Sequence, residues 1–205
     1  MKLFCPYKGI FRRNYVNYIY KELFRKSIHL CTAFVPFFLS RFYVLTEVLL
    51  LFALLFYSIS EVLRLRGICI PIISSITNIA ARKRDDGKFV LGPVTLVVGI
   101  LLSSLFFKNP FYSIGIFALA FGDGIASLCG KLFGKIHIPF SNGKTVEGSL
   151  SCFAAIFCST FFVSKNVFAS LVIAILGMLI EAIPLKDFDN LVIPVILSFC
   201  SQFVL

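Results

Sequence analysis

The residues best suited to chemistry lie between Gly122 and Ser149, where acids, lysines and glycines separate two long apolar runs. Asp123 stands between two glycines late in one of these runs, and a carboxylate at membrane depth is costly enough to mark a functional site. Its glycine neighbours are typical of a broken helix end. Lysines attract phosphate, and carboxylates hold a hard cation such as Mg²⁺. The segment therefore predicts a site for a nucleotide and a metal ion. The alternative is an ordinary basic, turning loop.

A second group precedes the fifth apolar run and consists of Lys144, Thr145, Glu147 and Gly148. Its Gly-Lys-Thr triplet resembles part of a P-loop, but the earlier glycine that this motif needs is replaced by Ile138 and no strand is predicted before it. The group is interpreted as a turn leading into a helix. Thr145 is expected to cap that helix, whose first amide groups would favour phosphate.

A third group, Glu22, Arg25, Lys26 and His29, has the spacing of one polar stripe on a helix. His29 lies inside an apolar boundary beside three charged residues, which favours a role in proton handling or substrate positioning. The alternative is a salt-bridged helix at the membrane surface whose long basic side chains reach towards water.

Acids also flank the last apolar run. Glu181 lies near the end of the sixth run, and Asp187, Asp189 and Asn190 follow at the junction with the seventh. These carboxylates could complete a Mg²⁺ site with Asp123. For Asp187 and Asp189 the alternative is a solvated turn.

The composition excludes an ordinary soluble domain. Of the 205 residues, 59% are hydrophobic and 15% are charged, and the mean hydropathy is +0.94. We expect an all-α integral membrane protein that forms a single domain over 1–205. The net charge of +10 is attributed to basic residues on one membrane face, and we expect no nucleic-acid partner. The cysteines show neither a disulfide framework nor zinc-ligand spacing.

The hydropathy pattern predicts about seven transmembrane spans and a cytoplasmic N-terminus. The spans are predicted at 27–40, 42–60, 89–107, 111–130, 149–163, 167–185 and 189–205. With alternating spans, 17 of the 20 lysines and arginines fall on the inner side, as the positive-inside rule requires. The inner regions are a basic segment (1–26), a loop with an interfacial helix (61–88) and the nucleotide-binding segment (122–149). The chemistry is therefore expected on the cytoplasmic face.

Taken together, these motifs resemble the CTP-dependent membrane lipid kinases, a group that includes dolichol kinase, phytol kinase and CTP-dependent diacylglycerol kinase. The resemblance rests on four stretches in order: Glu22-x-x-Arg25-Lys26-x-x-His29, Gly122-Asp123-Gly-x-Ala-Ser127-x-x-Gly130-Lys131-x-x-Gly134-Lys135, Lys144-Thr145-x-Glu147-Gly148, and Glu181 followed by Asp189-Asn190-Leu-x-Ile-Pro194. It implies transfer of a phosphoryl group from CTP to a lipid hydroxyl, with a divalent cation, and CTP recognition between Gly122 and Gly148. Gly124 stands where alanine or another small residue is expected.

From the chemistry of the side chains we predict individual roles. Catalysis is assigned to four residues: Asp123, Lys144, Glu147 and His29. The nucleotide is assigned to Gly122, Ser127, Gly130, Lys131, Gly134, Lys135, Lys144, Thr145 and Gly148. The metal is assigned to Asp123, Glu147 and Asp189. The lipid alcohol is assigned to Glu22, Arg25, Lys26, His29, Glu181 and Asn190.

Other functions remain open at this point. Phosphatidate cytidylyltransferases share the central block, but their Pro-Gly-His-Gly-Gly signature is absent from this sequence. A transporter or channel would place acids along a path through both faces, whereas these acids lie towards one side. A purely structural membrane protein would not need so many charged motifs in its inner loops. The predicted partners are the lipid bilayer, CTP and a lipid alcohol, and the assembly is open between a monomer and a homodimer. The membrane is expected to be a bacterial inner membrane or one of the endoplasmic-reticulum type.

Overall fold

The computed structural model describes residues 15–68, 70–81, 85, 87–139, 141 and 143–205. The backbone of these residues is helical, and its β-structure amounts to one isolated bridge between His137 and Thr145. The all-α prediction is thus confirmed for the described chain. Residues 1–14 and the basic run 82–84 lie outside it, so the predicted charge asymmetry rests on the sequence.

The helices follow the predicted apolar runs closely. In chain order they are α1 (Tyr15–Cys31), α2 (Val35–Arg41), α3 (Tyr43–Leu65), α4 (Pro71–Ala80), α5 (Gly92–Phe106), α6 (Phe111–Phe117), α7 (Gly124–Phe133), α8 (Val146–Ser164), α9 (Val167–Ala182) and α10 (Asp189–Val204). A π-helical segment, Ala118–Asp123, joins α6 to α7, so that Phe111–Phe133 runs on as one helix. In the described part of the chain, three helices are long and apolar enough to cross a membrane: Tyr43–Leu65, Phe111–Phe133 and Val146–Ser164.

Two predicted boundaries were wrong. The first span, 27–40, is not one helix, because a 3-10 turn (Thr32–Phe34) separates α1 from α2 and Pro36, near the start of α2, has no N–H to continue a helix. The loop predicted from residue 61 begins later, because α3 continues to Leu65 through a buried Glu61–Arg64 pair. The predicted nucleotide-binding segment (122–149) begins within the helix Phe111–Phe133, consistent with its overlap with the predicted span 111–130.

The predicted helix in the 61–88 loop corresponds to α4, which packs against α1 and α3. Its location at the membrane surface stays a prediction, as do the number of spans and the side of the N-terminus.

Close helix contacts form the core. Helix α8 packs most extensively against α9 and α7, and α10 packs most extensively against α6 and α5. Buried residues at these contacts include Ile114, Ile156, Ile173 and Leu197. Gly115 lets α6 approach α10, because a Cβ atom there would collide with the carbonyl oxygen of Pro194. This packing holds the helix ends that carry the charged motifs.

Candidate functional site

A buried charged cluster joins α1 to the π-helical segment. The Lys26 Nζ atom lies 2.5 Å from Asp123 Oδ2, and His29 Nδ1 lies 3.2 Å from the same oxygen. Lys26 is 2% exposed, Asp123 4% and His29 5%. Buried charges are costly unless they are paired, so Lys26 and Asp123 depend on each other. Residues that are 97 positions apart in the sequence therefore form one unit.

The backbone explains why α1 can come so close. A Cβ atom at Gly124 would lie 3.3 Å from the Leu30 side chain, tighter than most real contacts. The helix does not break at Asp123 as predicted. It passes through the π-helical turn instead, which changes the direction of side chains without ending the helix.

Beside this cluster, Glu22 binds two cations. Arg25 Nη2 donates to both carboxylate oxygens of Glu22, at 2.5 and 2.6 Å, and Lys131 of α7 forms an ion pair with the same group. Burial alone would raise the pKa of Glu22, but the charges of Arg25, Lys131 and Lys26 outweigh burial and hold that pKa below its usual 4.5. The predicted polar stripe of α1 is thus brought against α7.

The predicted nucleotide glycines meet at the junction of α7 and α8. Thr145 caps α8 as predicted, since its Oγ1 accepts from the Gly148 amide at 3.2 Å. A Cβ atom at Gly130 would lie 3.0 Å from that hydroxyl oxygen, and one at Gly134 would lie 2.7 Å from it. These glycines therefore pack two helices together around a capping threonine. Their contact with a nucleotide stays a prediction.

Gly122 has a similar environment. A Cβ atom there would lie 2.8 Å from Ile156 of α8 and 3.4 Å from the sulfur of Cys152. The absence of a side chain at Gly122 thus also lets two helices approach.

The turn between α7 and α8 directs Lys144 towards α9. Ile138 N donates to the Lys144 carbonyl oxygen at 2.9 Å, which closes the turn. The Lys144 ammonium group lies 3.1 Å from Glu181 Oε1 and also donates to the carbonyl oxygens of Glu181 and Ile183. A cation is favourable at a helix C-terminus, so Lys144 stabilises the end of α9.

The other predicted residues are more scattered. The carboxylate of Glu147 accepts from the Ile136 amide at 3.3 and 3.4 Å, and Asp189 Oδ1 accepts from the Asn190 amide at 2.9 Å. Lys135 is exposed and Ser127 is half-buried.

Within the described ranges, no three His, Cys, Asp or Glu side chains form a group that could hold a metal ion. The predicted set of Asp123, Glu147 and Asp189 is therefore not assembled by the protein alone. Mg²⁺ commonly takes one or two carboxylates together with substrate phosphates and water. The donors present fit such an ion only if a nucleotide supplies further oxygens.

His29 also lines a small, open cleft with a cavity volume of about 60 Å³. We call it the α1–α5 cleft, and its polar lining consists of Arg25, His29, Asp85, Asp187 and Asn190. The Asn190 amide group donates to the Gly92 carbonyl oxygen at 3.3 Å and to Thr95 Oγ1 at 3.4 Å, which ties α10 to α5.

Sequence reasoning considered Asp187 for a Mg²⁺ site, and it assigned Asp85 to no site. The only sequence signal for Asp85 was its position directly after the basic run 82–84.

Sequence reasoning also missed a buried anchor on α3. Arg64 binds Glu61 through two hydrogen bonds of 2.8 and 2.7 Å and donates to the Lys88 carbonyl oxygen at 2.8 Å. Glu61 Oε1 accepts from the Val90 amide at 2.8 Å. This pair fixes the segment that precedes α5. Val90 of that segment lines the α1–α5 cleft.

Comparison with known proteins adds distant relatives. An uncharacterized protein of Methanocaldococcus jannaschii is 29% identical over 184 residues, which cover 87% of this chain and 92% of the relative. Phytol kinase 1 of Arabidopsis thaliana is 26% identical over 67% of this chain and 46% of its own length. A probable phytol kinase 1 of Glycine max is 33% identical over 39% of this chain and 26% of its own length.

The chain is similar to phytol kinases at low identity. It spans about half the length of the Arabidopsis relative and about a quarter of the soybean one. No family model matches the chain, and no solved structure matches it.

Proposed function

We propose that this protein transfers the γ-phosphoryl group of CTP to the hydroxyl of a membrane lipid alcohol at the cytoplasmic face. The main support is the buried cluster of Lys26, Asp123 and His29, in a chain similar to phytol kinases. Burying three ionisable groups is expensive for a membrane protein, and such groups are usually retained for function. Lys131 of α7 pairs with Glu22 beside the cluster, and His29 of the cluster also lines the α1–α5 cleft.

The triphosphate would be held by lysines on one side of this cluster. Lys131 and Lys144 are already paired with carboxylates, and Lys135 is exposed. An arriving triphosphate would compete with Glu22 and Glu181 for these ammonium groups. Phosphoryl transfer depends on positioning and charge neutralisation, which lysines released from these acids could provide.

Mg²⁺ would be held by the carboxylate of Asp123 with either Glu147 or Asp189, and by oxygens of the nucleotide. When bound, the ion would neutralise charge on the triphosphate and favour in-line displacement. Lys26 fixes one carboxylate oxygen of Asp123 at 2.5 Å, which orients the group for such a role.

His29 is the best placed proton acceptor, because it touches Asp123 and also lines the α1–α5 cleft. The lipid oxygen would form a bond with the γ-phosphorus while the bond from that phosphorus to the β,γ-bridging oxygen breaks. CDP leaves with the electron pair, and the hydroxyl proton passes to His29. The Asp123 carboxylate would stabilise the resulting imidazolium.

We also propose seven transmembrane spans with a cytoplasmic N-terminus. The Tyr43 hydroxyl donates to the Ser104 carbonyl oxygen at 2.9 Å, and Arg64 binds the Lys88 carbonyl oxygen at the opposite end of α3. These two contacts support an antiparallel arrangement of α3 and α5, as alternating spans require. The acids and lysines of the proposed site then share one end of the bundle.

The proposed function is tested with purified protein in detergent, γ-labelled CTP and a panel of lipid alcohols. The panel contains phytol, farnesol, dolichol, undecaprenol and diacylglycerol. We expect label in the lipid extract for at least one alcohol, dependence on Mg²⁺, and strong competition by unlabelled CTP but weak competition by ATP. No labelled lipid from any alcohol, or a clear preference for ATP, would contradict the proposal.

A further inference from the structure

A buried hydroxyl on α8 lacks a hydrogen-bond partner among the described residues. Ser149 is 7% exposed, and its Oγ atom makes no hydrogen bond there. Ser151, two residues further along α8, instead donates to the Glu147 carbonyl oxygen at 2.8 Å, which is the usual bond of a serine inside a helix. A buried polar group without a partner is unfavourable for folding. The Ser149 hydroxyl is therefore available to a ligand.

Ser149 lies on the face of α8 that packs between the π-helical segment and α9. A Cβ atom at Gly122 would lie 2.8 Å from the Ile156 side chain, and one at Gly177 would lie 2.4 Å from it. Positions 149, 152 and 156 are three and four residues apart, so they share this face of the helix. Ser149 is the member of this set that is nearest the start of α8.

Both buried ion pairs lie close to this face. Asp123 follows Gly122 directly, and Glu181 lies one helical turn beyond Gly177 on α9. The charges of these two acids and of their lysine partners all act on the thiol of Cys152. Two ammonium groups, each held by a carboxylate, are thus near the inner face of α8.

The amide groups at the start of α8 are already used inside the protein. Val146 N donates to the Ile136 carbonyl oxygen at 2.9 Å. Gly148 N donates to Thr145 Oγ1 at 3.2 Å, and Ser149 N donates to the Thr145 carbonyl oxygen at 3.0 Å. A phosphate group arriving here would therefore depend on side-chain donors more than on backbone donors.

The Lys144 side chain crosses from the start of α8 to the end of α9. Its ammonium group lies 3.1 Å from Glu181 Oε1 and 3.3 Å from the Ile183 carbonyl oxygen. Residues 165 and 166 alone separate α8 from α9, so this crossing is at the same end of the helix pair as Ser149. A triphosphate that competes with Glu181 for Lys144 would move this side chain and open the way to the hydroxyl.

We propose that Ser149 is a phosphate-binding residue, whose hydroxyl donates to the triphosphate of CTP between Lys144 and the Lys26–Asp123 pair. This inference rests on the proposed function and adds a residue to its nucleotide site. A hydrogen bond to a charged phosphate oxygen is short and strong. The same hydroxyl contributes no hydrogen bond to the nucleotide-free fold, which separates this role from a structural one.

The experiment compares Ser149→Ala with Ser151→Ala in the full-length protein in lipid nanodiscs. Dissociation constants are measured with Mg²⁺ present for two ligands, CTP and inorganic tripolyphosphate. Ser149→Ala should weaken the binding of both ligands by about tenfold or more, because a hydrogen bond to a charged group is lost. Ser151→Ala is the matched control, since its hydroxyl already bonds within the helix, and its dissociation constants should stay within about twofold of the wild type.

A stability measurement on the nucleotide-free protein stands beside the binding data. Ser149→Ala should unfold at the same concentration of sodium dodecyl sulfate as the wild type, because it removes a hydroxyl that has no partner in the fold. A clearly less stable Ser149→Ala variant would show that the hydroxyl is bonded inside the protein, and it would overturn the inference.

The results separate Ser149 from the proposed function. A wild type that phosphorylates a lipid alcohol, with a Ser149→Ala variant that binds both ligands normally, would overturn the inference and leave the kinase proposal standing. Weaker binding of CTP with unchanged binding of tripolyphosphate would place the hydroxyl on the cytidine part and would also overturn it. A wild type that binds both ligands through Ser149 but phosphorylates no alcohol would support the phosphate site and refute the kinase. A wild type that binds neither ligand would refute both proposals.

Discussion

Replacing Asp123 with asparagine tests whether its buried pair with Lys26 serves both stability and activity. The two side chains are 4% and 2% exposed, and their charged atoms are 2.5 Å apart. Removing one partner of such a pair leaves the other charge buried and uncompensated, which costs about 3–5 kcal/mol. We therefore expect Asp123→Asn to lower the free energy of unfolding by about that amount. Lys26→Met should do the same.

The double variant separates the two roles. Replacing both partners removes the uncompensated charge, and a buried pair can often be replaced by neutral groups at little cost. We expect Lys26→Met/Asp123→Asn to recover stability to within about 1 kcal/mol of the wild type. Its turnover should nevertheless stay roughly two to four orders of magnitude low, because the group that holds His29 is gone.

Stability is measured by titration with sodium dodecyl sulfate and far-ultraviolet circular dichroism, since the chain has no tryptophan for fluorescence. Lys135→Met is the matched control, because it removes an exposed lysine and should be neutral for stability. A single Asp123→Asn variant as stable as the wild type would refute the buried pair. A stable double variant with normal turnover would refute its part in the reaction.

Four further predictions follow from other contacts. Lys135→Ala should raise the KM for CTP several-fold with little change in turnover, because this exposed lysine would hold phosphate in ground and transition state alike; unchanged steady-state kinetics would refute that role. Gly134→Ala should lower the free energy of unfolding by about 1–3 kcal/mol, because the added methyl group collides with the capping threonine of α8; a stable variant with a raised KM for CTP would instead indicate nucleotide contact. The folded protein has a lowered pKa at Glu22, so the free energy of unfolding of the wild type should decrease as the pH falls below 4.5 and the ion pairs of Glu22 are lost. Glu22→Gln should show a smaller decrease over the same pH range. In a cysteine-free background, an impermeant maleimide should label Asn109→Cys from outside intact cells and leave His137→Cys unlabelled until the membrane is opened; the reverse pattern would invert the topology.

The apolar runs predicted the helices well, because the length of an apolar run sets the length of a helix that can cross the membrane. The helix cap at Thr145 could be predicted equally well from the sequence, since capping depends on a few neighbouring residues. The interruption at Thr32–Phe34 was missed, because the apolar run continues across these residues while the α-helix gives way to a 3-10 turn.

The site was predicted in part. The spacing of Glu22, Arg25, Lys26 and His29 placed them on one helix face, and the structure shows what that face meets. Spacing could not reveal that Lys26 pairs with Asp123, because that contact depends on how distant helices pack. For the same reason it could not distinguish glycines that pack α7 against α8 from glycines that would touch a nucleotide.

The position of the label in the lipid product tests the central claim most directly. Parallel reactions receive CTP labelled in the γ-phosphate or in the α-phosphate, with a lipid alcohol or with phosphatidic acid as acceptor. The account predicts that γ-label enters the lipid alcohol, that α-label stays in released CDP, and that phosphatidic acid gains neither. Incorporation of α-label into phosphatidic acid with release of pyrophosphate would show a cytidylyltransferase and contradict the account.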